Sequence, residues 1–160
     1  MVNRIHFVFL SIGHFFDHLF MLIFATVSAI TLSHEWGISY AELIPYATPG
    51  FVAFGVCAVP AGWIADKWSR KGMMFVFYIG IGLSSILTAF SESQLQIAIG
   101  LLAIGLFAAI YHPVGLALVV KGRKKTGVPL AINGIFGNMG VACSPLITEF
   151  FIDHAGWRFA

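Results

Sequence analysis

The chain has 160 residues, of which 59% are hydrophobic and only 10% charged, and its formal net charge is +2. A soluble domain carries about a quarter of its residues as charged side chains, so this chain lacks the polar surface that a water-facing exterior needs. The small, scattered positive charge excludes a nucleic-acid interface built on a basic patch. Cys57 and Cys143 both lie in apolar stretches and read as small core residues, not as a disulfide framework.

In chain order, five segments are long enough to cross a bilayer, since about 20 apolar residues span about 30 Å. They are expected at about Ile5–Leu32, Ala41–Ile64, Met73–Phe90, Leu95–Val120 and Val128–Ile152. The residues from Trp157 onward read as the start of a sixth span. The expected fold class is therefore an all-α membrane protein: residues 1–160 form a single N-terminal transmembrane bundle, a fragment whose C-terminal half is absent. The lipid bilayer is its first expected partner.

Lys and Arg sort across these spans. Arg4, then Lys67, Arg70 and Lys71, then Lys121, Arg123, Lys124 and Lys125 all fall on one side if every segment crosses. Arg158 falls on the other, with Glu35, Glu92 and Asp153. The positive-inside rule then places the N-terminus and the basic loops in the cytoplasm, in a multi-pass protein of the cell (inner) membrane. A cleaved signal peptide ending near Val27-Ser28-Ala29 is the competing reading of the first segment. His14, Asp17 and His18 interrupt that apolar stretch, and four more spans follow, which argues against cleavage. Tyr40, Tyr46, Trp36 and Trp157 sit near span ends and read as interface anchors.

Small residues let helices approach closely in lipid. Gly55, Ala58 and Gly62 share a face of the second span, and Gly137, Gly140 and Ser144 share a face of the fifth. Both faces are expected to pack tightly.

The loop after the second span reads Gly62-Trp63-Ile64-Ala65-Asp66-Lys67-Trp68-Ser69-Arg70-Lys71-Gly72. It resembles the Gly-x-x-x-Asp-Arg-x-Gly-Arg-Arg/Lys loop of the major facilitator superfamily, in the same place between helices two and three. The resemblance covers essentially the whole chain and implies the N-terminal six-helix half of a transporter. It also implies a gating loop at Gly62, Asp66, Lys67, Arg70 and Lys71. Two positions depart from the pattern, Lys67 for Arg and Ser69 for Gly, and Lys lacks the bidentate fork of Arg. The competing reading is that the loop cations only anchor to anionic lipid. Gly140, Ser144 and Pro145 resemble part of the Gly-x-x-x-Gly-Pro motif in helix five of proton-coupled exporters. Leu101 stands where many such exporters place an Arg in helix four. His-Phe-Phe-Asp-His in helix one and Tyr-His-Pro in helix four look most like the fosmidomycin-resistance-type members.

Ionisable residues at membrane depth are costly and usually functional. His14, Asp17 and His18 lie at i, i+3 and i+4, on one helical face. At 1.5 Å per residue, His14 and His112 each fall about 6 Å to the cytoplasmic side of their span centres, Asn138 falls near the same level, and Asn133 lies deeper toward the cytoplasm. In the family helices one and four line the central cavity, so the resemblance implies that His14, Asp17, His18, Tyr111, His112, Asn133 and Asn138 contribute to substrate binding and proton coupling. Pro113 can kink the fourth span beside Tyr111 and His112.

Three readings of the His14, Asp17, His18 set stand: proton coupling with substrate binding, mutual structural satisfaction, and a metal site on the likeness of His-x-x-Asp-His to His-x-x-Glu-His. The expected function is secondary transport of a small-molecule substrate with protons, efflux slightly preferred, by alternating access. No cofactor, catalytic residue, resident metal or nucleic acid is expected. The alternatives are an intramembrane metal-dependent enzyme and a non-transporting membrane scaffold or sensor.

Overall fold

The computed structural model describes residues 4–160. It is helical, with no strand among the described residues. Five helices are long and apolar enough to cross a membrane: α1 (Arg4–Glu35), α2 (Tyr40–Lys67), α3 (Arg70–Ala89), α4 (Gln94–Val120) and α5 (Gly127–Ala155). Three of the starts are set by serine. Ser39 and Glu42 close a reciprocal cap on α2, Ser69 Oγ accepts from Gly72 N–H at the start of α3, and Ser93 Oγ accepts from Gln96 N–H at the start of α4. Each satisfies a backbone donor that the helix itself leaves unpaired. Gly156, at φ +87°, ends α5 in the left-handed region that glycine tolerates. The residues expected to open a sixth span, Trp157–Phe159, form a single 3-10 turn.

Helix α4 is the centre of the bundle. It packs on α2, α3 and α1, while α5 runs along the other flank of α1. The core between them holds Phe24, Leu32, Phe77, Ile97, Ile104, Tyr111, Val114 and Val119. Outside, large apolar side chains stand open, among them Val59, Phe75, Leu87, Phe90 and Val128. Such a surface is untenable in water and suits hydrocarbon, where every backbone group is already paired within its own helix.

The basic loops gather at one end of the bundle. Lys121 lines the same cleft as Asp66, Ser69, Arg70 and Lys71, and the Arg123 guanidinium sits 5.3 Å above the Phe7 ring near the start of α1. The opposite end joins Glu35 to Trp157, whose Nε1–H donates to the carboxylate at 2.8 Å. There Arg158 donates to the carbonyls of Ala89 and Ser91 at 2.6 and 2.9 Å. A cation over the last carbonyls of α3 complements the negative end of that helix.

The small-residue seams match expectation only in part in one helix and match it in the other. On α2 the expected face holds only at Gly62, whose Cβ would stand 3.2 Å from Pro113 Cβ of α4, while nothing lies within 4 Å of a Cβ built at Gly55. The close approach is instead Gly50 against α4, where a Cβ would stand 2.6 Å from the Leu101 carbonyl oxygen, and where Gly105 meets the Gly50 backbone in return. On α5, Gly137, Gly140 and Ser144 do face α1. The reason for the failure at Gly55 lies at Cys57, where the helix is interrupted three residues before Pro60. That interruption breaks the register on which the Gly55–Gly62 face was extrapolated.

Candidate functional site

The polar residues of α1, α4 and α5 meet inside the bundle. Asn133 is fully buried on α5 and faces both neighbours. His14 Nδ1 lies 2.9 Å from the Asn133 carbonyl oxygen and 3.0 Å from its Oδ1. Both are acceptors, so Nδ1 carries the proton and donates. Asn133 Nδ2 donates to the Tyr111 hydroxyl at 2.9 Å, and that hydroxyl donates to the Leu10 carbonyl at 2.6 Å. Ser11 Oγ is a further acceptor for Asn133 Nδ2 at 3.4 Å. The Tyr111 ring stacks on His14 with centroids 4.8 Å apart. Three helices are thereby clasped through one amide.

The other side of the His14 ring is different. Its Nε2 is buried and has no hydrogen-bond partner. Gly137 makes room for it, since a Cβ at that position would stand 2.6 Å from the nitrogen. His18 and His112 flank it, with ring centroids 5.0 and 5.3 Å from His14. One turn along α1, Asp17 is fully buried. His112 Nε2 approaches Asp17 Oδ2 to 3.3 Å, an ion-pair distance. Neither Asp17 oxygen has an aligned hydrogen bond. A carboxylate so placed carries most of its desolvation cost unless a proton or a cation shares it.

What aims His112 at Asp17 is the local backbone of α4. Pro113 has no N–H and its ring crowds the preceding turn, and residues Tyr111–Gly115 widen into a single π turn. Such one-turn bulges change the direction in which adjacent side chains leave the helix. The Pro113 ring also meets α2, because a Cβ at Gly62 would lie 3.2 Å from its Cβ.

The structure thus brings together His14, Asp17, His18, Tyr111, His112 and Asn133. Asn138 is not among them: it lies on the exposed side of α5, since it is five residues from Asn133 and so about 140° off that face. Gly140 and Ser144 sit on the α1 seam. A Cβ at Gly140 would collide with the Phe15 carbonyl, and the Ser144 hydroxyl donates to the Leu19 carbonyl at 3.3 Å. Pro145 stands within the uninterrupted α5. Three participants escape a sequence reading: Ser11, Phe54, whose ring lies 5.7 Å from that of His112, and Tyr78, whose hydroxyl donates to the Phe9 carbonyl and which also crowds Gly13. Ser11 lies on the His14–His18 stripe and Tyr78 is a lone phenol in an apolar span; those were the available signals.

In the loop between α2 and α3, Arg70 Nη2 and Nε both donate to Asp66 Oδ1, at 2.8 and 3.1 Å. The pair is solvent-exposed. Among the described residues Lys67 and Lys71 pair with no carboxylate. Ser69, at the position where the motif has Gly, serves as the cap of α3.

The profile of the Major Facilitator Superfamily matches residues 10–160. The chain belongs to the Major Facilitator Superfamily. Similar proteins include a gallate transporter of Pseudomonas putida, 27% identical over 81% of this chain and 29% of the relative. A niacin transporter of Acinetobacter baylyi is 25% identical over 99% of this chain and 37% of the relative. A multidrug resistance protein B homolog of Mycobacterium tuberculosis is 24% identical over 84% of this chain and 25% of the relative. The chain spans about a third of the length of the first two of these relatives. These superfamily relatives are named as transporters and a resistance protein, not as enzymes. In this superfamily member the Asp66–Arg70 pair preserves the acid and one base of the signature loop, while the Ser69 departure is a helix cap.

Proposed function

We propose that this superfamily member acts, as part of a longer protein, in secondary transport of a small molecule by alternating access, coupled to protons through Asp17 and His112. The observation that carries the reading is the fully buried Asp17 held 3.3 Å from a half-exposed histidine on another helix. A carboxylate with no aligned donor is stabilised either by gaining a proton or by the approach of a protonated imidazole. Any motion of α4 against α1 changes that distance, and so changes which state is favoured. Coupling requires such a dependence. We assign the partner of this bundle to a second six-helix half, and the basic-loop end to the cytoplasm of a cell (inner) membrane, following the cation distribution.

The Asp66–Arg70 loop fits a gate better than a lipid anchor, because its acid is engaged by Arg70 at the junction of two helices. Ring carboxylates are the substrate class to test first. Gallate and niacin name two of the relatives, and the half-buried His18 and His112 offer imidazole faces. The partial exporter motif at Gly140–Pro145 favours extrusion, while the solute names of those two relatives favour neither direction.

The test is Asp17→Asn in the full-length protein, reconstituted in proteoliposomes under an imposed pH gradient. Gradient-driven solute movement is expected to be lost while solute binding is retained. Undiminished gradient-driven transport in that variant would move Asp17 to a structural role, and His112→Gln would then be examined in the same assay.

A further inference from the structure

We infer that His14, His18 and His112, with Asp17 beside them, form a binding site for a divalent transition-metal ion of borderline softness, of which Zn²⁺ and Co²⁺ are the practical probes. The inference rests on the side-chain cluster alone and holds whether or not the chain moves protons.

One ring nitrogen from each of the three histidines lies within 4.8 Å of the other two. A tetrahedral ion with bonds of 2.0–2.1 Å spaces its ligands about 3.4 Å apart. The cluster therefore has to contract by up to about 1.4 Å, within the reach of two half-buried side chains, His18 and His112. Asp17 Oδ2 already stands 3.3 Å from His112 Nε2, the spacing of two neighbouring ligands on such an ion. His14 is the pre-set member. Its Nδ1 proton is committed to Asn133, which leaves Nε2 as a lone pair, buried and unpartnered, on a ring whose centroid lies 5.0 and 5.3 Å from those of His18 and His112. A backbone carbonyl on the far nitrogen is the usual outer support of a metal-bound histidine.

The donor set selects the ion. Three neutral imidazoles and one carboxylate suit zinc, cobalt or nickel, whereas magnesium and calcium prefer a cage of oxygens. The single carboxylate, unbonded at both oxygens, supplies negative charge against the dication at a depth where an isolated ion is costly. The half-exposed His112 provides the route in.

Protons compete for the same lone pairs, since a protonated imidazole cannot ligate. The titratable groups facing the site are Asp17 and His18 from α1, Tyr78 from α3 and Tyr111 and His112 from α4; α5 contributes the neutral Asn133 and α2 the Phe54 ring.

The experiment uses tag-free, full-length protein in lipid nanodiscs, stripped with chelator and titrated with Zn²⁺ by calorimetry and with Co²⁺ by visible absorption. One ion per chain is expected at pH 7.5, with the intense absorption of four-coordinate cobalt, weakening as the pH is lowered through the imidazole range. His18→Ala and His112→Ala should each weaken binding by at least about tenfold, with the helical circular dichroism of the wild type retained. His112→Cys should keep the ion, because thiolate is also a zinc ligand, and should add a sulfur-to-cobalt charge-transfer band. That band excludes a merely structural role for residue 112. Absence of saturable Zn²⁺ binding in the wild type, or binding unchanged in both alanine variants, would overturn the inference. Transport in chelator-treated proteoliposomes is scored separately: its persistence leaves the proton reading of Asp17 untouched whatever the metal titration shows.

Discussion

On its Nδ1 side, the His14 ring belongs to a closed network: Asn133, Tyr111, Ser11 and the Leu10 carbonyl exchange hydrogen bonds across α1, α4 and α5. On its Nε2 side lie His18, His112 and Asp17, close together but with neither His14 Nε2 nor either Asp17 oxygen hydrogen-bonded. The two regions are one side chain apart, with neutral amide and hydroxyl groups in the first and ionisable imidazoles and a carboxylate in the second. A satisfied polar network in low dielectric fixes the arrangement of its helices. An unsatisfied one holds groups whose preferred partner changes with proton or cation supply. On the function proposed above, stability belongs to the first region and chemistry to the second, and six substitutions can break or sharpen that division.

The largest effect is expected at the seam that supports both. Gly140→Ala puts a Cβ into the Phe15 carbonyl, and backbone stands on both sides, so neither can yield by a rotamer change. A loss of about 3 kcal/mol or more is expected, read as loss of the monodisperse peak in detergent chromatography after mild heating. Gly134→Ala, with nothing within 4 Å of its Cβ, should stay within about 0.5 kcal/mol of the wild type.

Next, Asn133→Ala should cost about 2 kcal/mol, because it strips one acceptor from His14 and the donor from Tyr111 and leaves buried groups unpaired. Asp17→Asn, on the open side, should leave thermal stability equal or higher, since it removes a buried charge, while abolishing gradient-driven transport. Comparable destabilisation by both would erase the distinction between the two sides.

Tyr111→Phe should cost about 1 kcal/mol, in the range of single interhelical hydrogen bonds in membranes, with the ring stacking on His14 kept and solute binding unchanged. A small stability effect is also expected at the exposed loop pair. Asp66→Asn should shift unfolding by less than about 1 kcal/mol, as exposed ion pairs do, yet reduce the transport rate severely if the loop is a gate. A wild-type rate in that variant would restore the lipid-anchor reading of Lys67, Arg70 and Lys71.

The sequence by itself determined that helices cross a bilayer, how the cations sort, and that His14, Asp17 and His18 share a face. These follow from length, hydropathy and the 3.6-residue period. It also pointed to the α5 seam, because Gly137, Gly140 and Ser144 are spaced on an uninterrupted helix. Only the tertiary structure decided that Asn133 and not Asn138 meets His14, that Gly50 and not Gly55 lies against α4, and that His112 rather than a residue of α1 stands beside Asp17. The physical reason is that lipid and protein interior are almost equally apolar. Hydropathy that separates core from surface in water therefore cannot tell which face of a membrane helix meets protein. Helix rotation is set instead by close-packed small residues and by shared hydrogen bonds, both of which need two helices to exist. The breaks at Cys57 and at Tyr111–Gly115 then shift the register within a single span, and no periodicity carried through a break survives it.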